Sequence, residues 1–325
     1  MRTPDFWSKP AGFLATTLRP LGAVYGWGTA RRVARAASYQ ATCPVICIGN
    51  INAGGTGKTP TTVALAERLQ SRDKKAVILS RGYGGTATEA MIVDPSQHTA
   101  GVVGDEPLFM AGFTSVIVAK DRVEGAKLAQ TLAPDVILMD DGFQSPALHK
   151  DLSIVVVDAL RGFGNGLCIP AGPLREPAKQ GLKRADFLLS LGELPAQDAF
   201  AAQHDFTIPH LTGALIPLST GMPWAGLPAY AFAGIGHPEK FFNTLRAAGV
   251  DLRGTQALAD HEPISAAMLE RLRRAAIEQG AQLVTTEKDA ARLPAELRPL
   301  VLPFPVRLAL RDWFPLDAEL HKLGL

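Results

Sequence analysis

From residue 44 onward, short apolar runs alternate with longer stretches in which apolar positions recur every three or four residues. Most of the runs at 45–49, 76–80, 91–93, 116–119, 136–140, 154–158 and 187–190 are apolar throughout and rich in β-branched residues. Unbroken apolar runs of that length suit strands buried on both faces. Residues 61–72 and 122–132 carry the helical period between them. This order predicts an α/β fold, a mainly parallel sheet with helices on both faces.

The rhythm changes after residue 190, where 216–227 gathers Pro217, Gly221, Pro223 and Gly226. A second, smaller α/β domain is expected beyond it, with strands at 229–233 and 283–286 and helices at 238–248 and 266–279. The expected division is an N-terminal segment 1–40, a nucleotide-binding domain 41–215, a smaller domain 216–310 closing over the cleft, and a tail 311–325. Residues 213–218 and 306–310 are expected to pair as a connection between the domains.

The first 40 residues follow another pattern. Leu14, Leu18, Leu21 and Tyr25 recur at helical spacing, and Phe6, Trp7, Phe13 and Trp27 stand among them. Pro20 is expected to begin a second helix. Arg2, Lys9, Arg19, Arg31, Arg32 and Arg35 against Asp5 leave this segment with a net charge of +5. Cations mixed with interfacial aromatics predict a peripheral contact with an anionic membrane surface. At about 1 kcal/mol per cation the attraction is at most roughly 5 kcal/mol, enough for reversible attachment. Residues 11–28 are broken by Arg19-Pro20 and rich in glycine, whereas a span needs about 20 mostly apolar residues. Neither a transmembrane helix nor a secretory signal is read from the sequence.

Composition narrows the choice further. Apolar residues are 47% of the chain and charged residues 20%, the balance of an ordinary globular protein. A net charge of +2 gives no ground for a nucleic-acid partner, and no oligomer is implied. Cys43, Cys47 and Cys168 cannot all pair within the chain, and Cys43 and Cys47, beside or within an apolar run, are read as buried thiols in a reducing compartment.

The strongest chemical signal is Gly49-Asn50-Ile51-Asn52-Ala53-Gly54-Gly55-Thr56-Gly57-Lys58-Thr59-Pro60, set between an apolar strand and an amphipathic helix. That is the context of a phosphate loop and predicts a P-loop NTPase-like domain. Asn52, Gly54, Gly55, Thr56 and Gly57 would wrap the phosphates with backbone N–H groups. Lys58 would supply a point charge, and the Thr59 hydroxyl a ligand for Mg²⁺. Asn52 replaces the usual first glycine and is expected to tolerate a left-handed backbone there. A dinucleotide-binding reading is weaker, because Pro60 occupies the third fingerprint position.

Such a site needs carboxylates at a neighbouring strand end. Asp140 and Asp141, after an apolar run, fit that need. Asp105-Glu106-Pro107 reads either as a dipole complement at a helix start or as a further pair of working acids. Arg81 and Arg175, in glycine-rich loops, are candidate phosphate clamps. His237 and His261 lie in loops of the second domain from which either could face a cleft. A nucleotide-hydrolysing switch is the alternative; guanine specificity would show N-K-x-D, and Thr286-Glu287-Lys288-Asp289 lacks the asparagine.

Six motifs in order resemble one family, the tetraacyldisaccharide 4'-kinases. They are G-N-x-x-x-G-G-T-G-K-T-P at 49–60, S-R-G-Y-G-G at 80–85, G-D-E-P at 104–107, D-D-G-F-Q at 140–144, G-N-G-x-x-x-P-A-G-P-L-R-E-P at 164–177 and T-T-E-K-D-A at 285–290. The resemblance implies transfer of the ATP γ-phosphate to the 4'-hydroxyl of the lipid A disaccharide-1-phosphate precursor. The product would be lipid IVA, made at the cytoplasmic face of a Gram-negative inner membrane. It implies ATP and Mg²⁺ as cofactors, Asp105 as the catalytic aspartate and His261 as its partner. Glu106, Asp140 and Asp141, with Thr59, become the magnesium-associated set. Ser80, Arg81, Gly82, Gln144, Asn165 and Arg175 become the expected substrate-binding residues. Glu262-Pro263 follows Asp260-His261, where the family often has aromatic residues or further histidines.

Overall fold

The computed structural model describes residues 4–259, 262, 264–294 and 296–325. Strands β1 (Val45–Gly49), β2 (Ala76–Ser80), β3 (Met91–Ile92), β4 (Val116–Val118), β5 (Val136–Asp140), β6 (Leu152–Asp158), β7 (Phe187–Leu191), β8 (His210–Pro217) and β13 (Val306–Leu310) form one sheet. Its order is β13-β8-β7-β6-β1-β5-β2-β4-β3, with β13 and β3 antiparallel at the edges and the seven strands between them parallel.

The unbroken apolar runs have the expected consequence. Along β1, Ile46 and Ile48 pack into one layer with α2 (Lys58–Gln70), α4 (Asp105–Met110) and α11 (Phe314–Lys322). Val45 and Cys47 pack into the opposite layer with α5 (Arg122–Gln130), α6 (Ala178–Leu182) and α7 (Leu194–Ala202). Burial pushes the Cys47 thiol up to about 11, so it is an inert core group. A short helix, α3 (Ala100–Val103), leads into α4.

A second sheet, β10 (Asp251–Ala257), β9 (Pro228–Ala233), β11 (Gln282–Thr286) and β12 (Leu302–Phe304), is parallel throughout. It packs α8 (Pro238–Ala247) on one face through Phe241, Phe242 and Leu245, and α9 (Ala266–Glu278) on the other through Leu269, Leu272 and Ala276. The exposed alternate positions of β10, Asp251, Arg253 and Thr255, explain why no apolar run marks it. The short helix α10 (Glu287–Arg292) follows β11.

The pairing of 213–218 with 306–310 is present, from Gly213 opposite Leu310 to Pro217 opposite Val306. It extends the large sheet, however, so residues 306–310 belong to that sheet and not to the smaller unit. The tail beyond them is built into the same layer, where Leu316, Leu320 and Leu325 are buried.

Helix α1 (Phe13–Val33) runs straight through Pro20, contrary to the expected restart. Thr16 and Pro20 are both exposed, so the carbonyl left without its donor is open to water. The buried face of α1 is small: Ala15, Gly22, Gly26 and Thr29. A Cβ on Gly22 would stand 2.6 Å from the Cys168 carbonyl oxygen, and one on Gly26 3.0 Å from the Cys168 sulfur, so side chains there would lift the helix away. Phe13, Leu14, Leu21, Val24, Tyr25 and Trp27 face outward.

Phe163, in the loop after β6, joins Phe200 and Phe206, from the segment between β7 and β8, in an aromatic group, with His204 5.0 Å from Phe200 and His210 5.0 Å from Phe206. Burial holds both imidazoles below their usual value. Protonation therefore favours the unfolded chain, and stability is lost as pH falls below about 6.5 toward the depressed folded values. Thermal melts from neutral to mildly acidic pH should show a shallower fall in Tm for His204→Phe than for the parent. Parallel curves would remove His204 from the cause.

Candidate active site

Parallel strands bring their carboxyl ends to one edge, where ligands of open α/β sheets bind. Here Gly49, Ser80, Asp140 and Asp158 end β1, β2, β5 and β6. Ile48 stands opposite Asp140 in the ladder, so the phosphate loop leaves β1 beside the acids that end β5.

The loop closes onto α2, with Gly57 as N-cap and Lys58 as first residue. Its left-handed positions are Gly54 (φ 103°) and Gly57 (φ 99°). Asn52 has another task than the left-handed turn expected of it. It bridges to Leu174 in extended pairing, flanked by Ala53 N to Pro173 O and Arg175 N to Ile51 O, each 2.7 Å. Its amide donates to the Gly162 carbonyl at 2.9 Å. Asn50 braces the loop from inside, donating to Gly54 O at 3.2 Å and Thr56 Oγ1 at 3.0 Å. With the loop so held, the N–H groups at the start of α2 and their dipole suit a phosphate. A cavity of about 110 Å³ adjoins the loop, lined in part by Trp7, Asn52, Gly55, Thr56, Asp158 and Arg161.

The acids differ in state. Asp140 is buried, and its Oδ2 accepts from Ser80 Oγ at 3.1 Å. Arg122, also buried, donates to the Asp140 carbonyl at 2.9 Å. Burial, then the charges of Glu106 and Asp141, push the Asp140 carboxyl up to about 7 against Lys58 and Arg122. Its Oδ1 is buried without a partner. Among the described residues no three acids stand close enough to form a metal site by themselves, but a buried carboxylate oxygen lacking a donor beside a phosphate loop fits a hard divalent cation such as Mg²⁺ whose other ligands come from the nucleotide.

Asp141 adopts φ 48°, which turns its carboxylate back toward the loop. It lies 3.7 Å from Lys58 Nζ and takes a two-pronged bond from Arg175, 2.7 Å to Nη1 and 3.3 Å to Nη2. Burial raises its pKa, but Lys58 and Arg175 outweigh burial and hold it below the usual carboxylate range. Glu106 behaves alike: burial raises it, yet Lys288 and Lys58 bring it down. Lys58, Glu106, Asp140 and Asp141 thus share one electrostatic neighbourhood.

Two groups of polar contacts, one on each side, bind the smaller unit to this edge. On one side Lys288 Nζ lies 3.2 Å from Glu106 Oε1, and Arg292 Nη1 lies 3.3 Å from Asp105 Oδ2. On the other side Lys240 pairs with Asp158, and Arg161 Nη2 lies 3.2 Å from His237 Nδ1.

Among the expected substrate residues, Ser80 and Arg175 are tied to Asp140 and Asp141. Gln144 donates to Asn50 O at 2.8 Å and Glu176 Oε1 at 3.0 Å. Asn165 spends its side chain within its own loop, donating to Ala171 O at 2.9 Å and accepting from Leu167 N at 3.1 Å. Arg81 is exposed beside Gly82. His261 lies outside the described residues. Sequence reasoning missed Arg122, Glu176, Arg184, Lys240 and Arg292. Glu176 and Arg184 pair beneath Phe143, with the Arg184 guanidinium 4.5 Å from that ring. Glu176 lies inside the 164–177 motif, where it was available as a signal; the others carry no local mark.

A profile of the family described as tetraacyldisaccharide-1-P 4'-kinase matches residues 14–323. The chain is 55% identical over 325 residues to a tetraacyldisaccharide 4'-kinase of Jannaschia sp. (strain CCS1), covering 99% of each. It is 57% identical to the enzyme of that name from Dinoroseobacter shibae, covering 99% of this chain and 98% of that one. A crystal structure of the "apo" form of LpxK from Aquifex aeolicus in complex with ATP superposes with a TM-score of 0.78 at 26% identity, covering 96% of this chain and 99% of that chain.

Proposed function

The chain belongs to the tetraacyldisaccharide-1-P 4'-kinase family, and from that premise we propose how its cleft works as an ATP-dependent lipid-sugar kinase. The reaction moves the γ-phosphoryl of ATP to the 4'-hydroxyl of the tetraacyldisaccharide 1-phosphate in lipid A biosynthesis. The nucleotide-switch alternative has nothing to favour it. In the segment closest to a guanine-recognition loop, Lys288 instead engages Glu106 across the domain contact, and Asp289 accepts from Gly234 N within the smaller domain.

In this reading Asn52 to Gly57 and the start of α2 hold the triphosphate, and Lys58 neutralises charge at its outer end. Thr59, Glu106, Asp140 and Asp141 would hold Mg²⁺, which when bound neutralises charge on the transferring group. Asp105, first residue of α4, stands beside Glu106 and accepts the proton of the attacking hydroxyl. Arg175 keeps Asp141 aimed at Lys58. The cleft between the two sheets, tied on both sides by ion pairs, limits water as a competing acceptor. The observation that carries this reading is Lys58 Nζ 3.7 Å from Asp141 at the sheet edge, where its charge also acts on Asp140 and Glu106. Incubation of the purified protein with γ-labelled ATP, Mg²⁺ and the tetraacyldisaccharide 1-phosphate should give labelled lipid. Label appearing only as inorganic phosphate would defeat the kinase reading.

The acceptor carries acyl chains, and the outward apolar side chains of α1 support a peripheral membrane contact. Among the described residues no helix is long and apolar enough to cross a membrane. What α1 offers is an inverted helix, with Gly22 and Gly26 inward and large apolar side chains outward. Arg19, Arg31, Arg32 and Arg35 are exposed on it or just past its end, and the Arg31 guanidinium lies 5.6 Å from the Trp27 ring. Such a surface binds at an anionic interface. Replacing Arg31, Arg32 and Arg35 by Gln should weaken partitioning onto phosphatidylglycerol vesicles by about 3 kcal/mol, roughly a hundredfold. Equal sedimentation of parent and variant with such vesicles would count against this surface.

A further inference from the structure

Helix α10 places two cations, Lys288 and Arg292, four residues apart and therefore on one face. Each holds one acid of α4: Lys288 holds Glu106, and Arg292 holds Asp105. The two contacts are built differently. Lys288 and Glu106 are both partly exposed. The Arg292 side chain is only 7% exposed, and it rests on Asp289, whose side chain is fully buried.

Asp289 is itself held by the small sheet. Its Oδ2 accepts from Gly234 N at 3.0 Å and from Thr286 Oγ1 at 2.7 Å, and its Oδ1 pairs with Arg292. Arg292 Nη2 also reaches the Gly234 carbonyl at 3.3 Å. The guanidinium is thus positioned by the end of β9 and the cap of α10, independently of the large sheet. Only its remaining arm, Nη1, crosses to Asp105.

Burying an arginine between two carboxylates involves a large desolvation cost and adds little net stability over apolar packing. Its value must lie in geometry. We propose that Arg292, seated on Asp289, is a positioning residue for phosphoryl transfer. It helps to fix the Asp105 carboxylate, and it can do so only while the small domain is docked, so docking completes the setting of the proton acceptor. This inference rests on the reading of Asp105 as the group beside the reacting hydroxyl.

The test is a double-mutant cycle on the full-length enzyme with ATP, Mg²⁺ and the tetraacyldisaccharide 1-phosphate. Arg292→Ala should lower kcat roughly 10- to 100-fold, the scale of a misplacement of about 1 Å, with KM for ATP unchanged. Arg292→Lys, which keeps one donor and the charge, should recover part of the loss. In an Asp105→Asn background Arg292→Ala should cost nothing further, because the group it positions is gone. An unchanged kcat in Arg292→Ala, or an equal loss in both backgrounds, overturns the proposal. If Arg292→Ala does not fold, the same cycle is run with Arg292→Lys, and an equal loss in both backgrounds again overturns it. Near-normal turnover of Asp105→Asn alone would sink the Asp105 reading and this inference together. An inactive Asp105→Asn beside a fully active Arg292→Ala would sink only this inference.

Discussion

Lys58→Met is expected to lower kcat by about 10³-fold or more while leaving Tm close to that of the parent. Loss of one fixed donor to a charge developing in the transition state costs about 10²- to 10³-fold. Lys58 does more than donate. Its charge lies 3.7 Å from Asp141 and helps to hold both Asp141 and Glu106 below the usual carboxylate range. Without it three acids face the triphosphate with less compensation, so positioning and charge neutralisation fail together. Methionine keeps most of the stem volume, and the backbone of α2 is unaffected. Single-turnover transfer of labelled phosphate, with a thermal scan on the same sample, checks both halves. A variant within about tenfold of the parent rate would leave Lys58 outside the chemistry.

The second large effect is expected at Asp140. Asp140→Asn should lower kcat by roughly 10²-fold or more and raise the Mg²⁺ needed for half-maximal rate about 10- to 100-fold. Asparagine preserves size and can still accept from Ser80, but it removes the charge that a divalent cation would recruit. The same change should leave Tm in magnesium-free buffer equal or higher. Asp140 is buried, carries an unpartnered oxygen and is crowded by Glu106 and Asp141, which is why its carboxyl is pushed up to about 7. Removing a buried carboxylate relieves that desolvation and repulsion. Activity and stability therefore move in opposite directions. A magnesium titration of turnover that superposes on the parent's would show that Asp140 holds no metal.

These effects depend on residues of very different legibility. That Lys58, Asp140 and Asp141 gather at one sheet edge could be read directly, because each sits at a fixed offset from an apolar strand. Arg175 could be singled out as an arginine in a glycine-rich loop, but not paired. Its partner Asp141 is 34 residues earlier and meets it only because the loop before Arg175 runs antiparallel to the phosphate loop at Asn52 and Leu174. Arg292 could not be found at all. It reaches Asp105 across 187 residues and from another sheet.

The chain by itself determined the strands of the large sheet that end at the cleft, the phosphate loop and the acid pair after β5. All of these are local signals of period, spacing and residue type, written within a dozen neighbouring positions. Only the tertiary structure decided that residues 306–325 return to the large sheet, that α1 passes through Pro20 with Gly22 and Gly26 inward, and which cation meets which acid. Those outcomes depend on which surfaces are removed from water together, and burial is a property of chain segments brought together by the fold, not of any one of them.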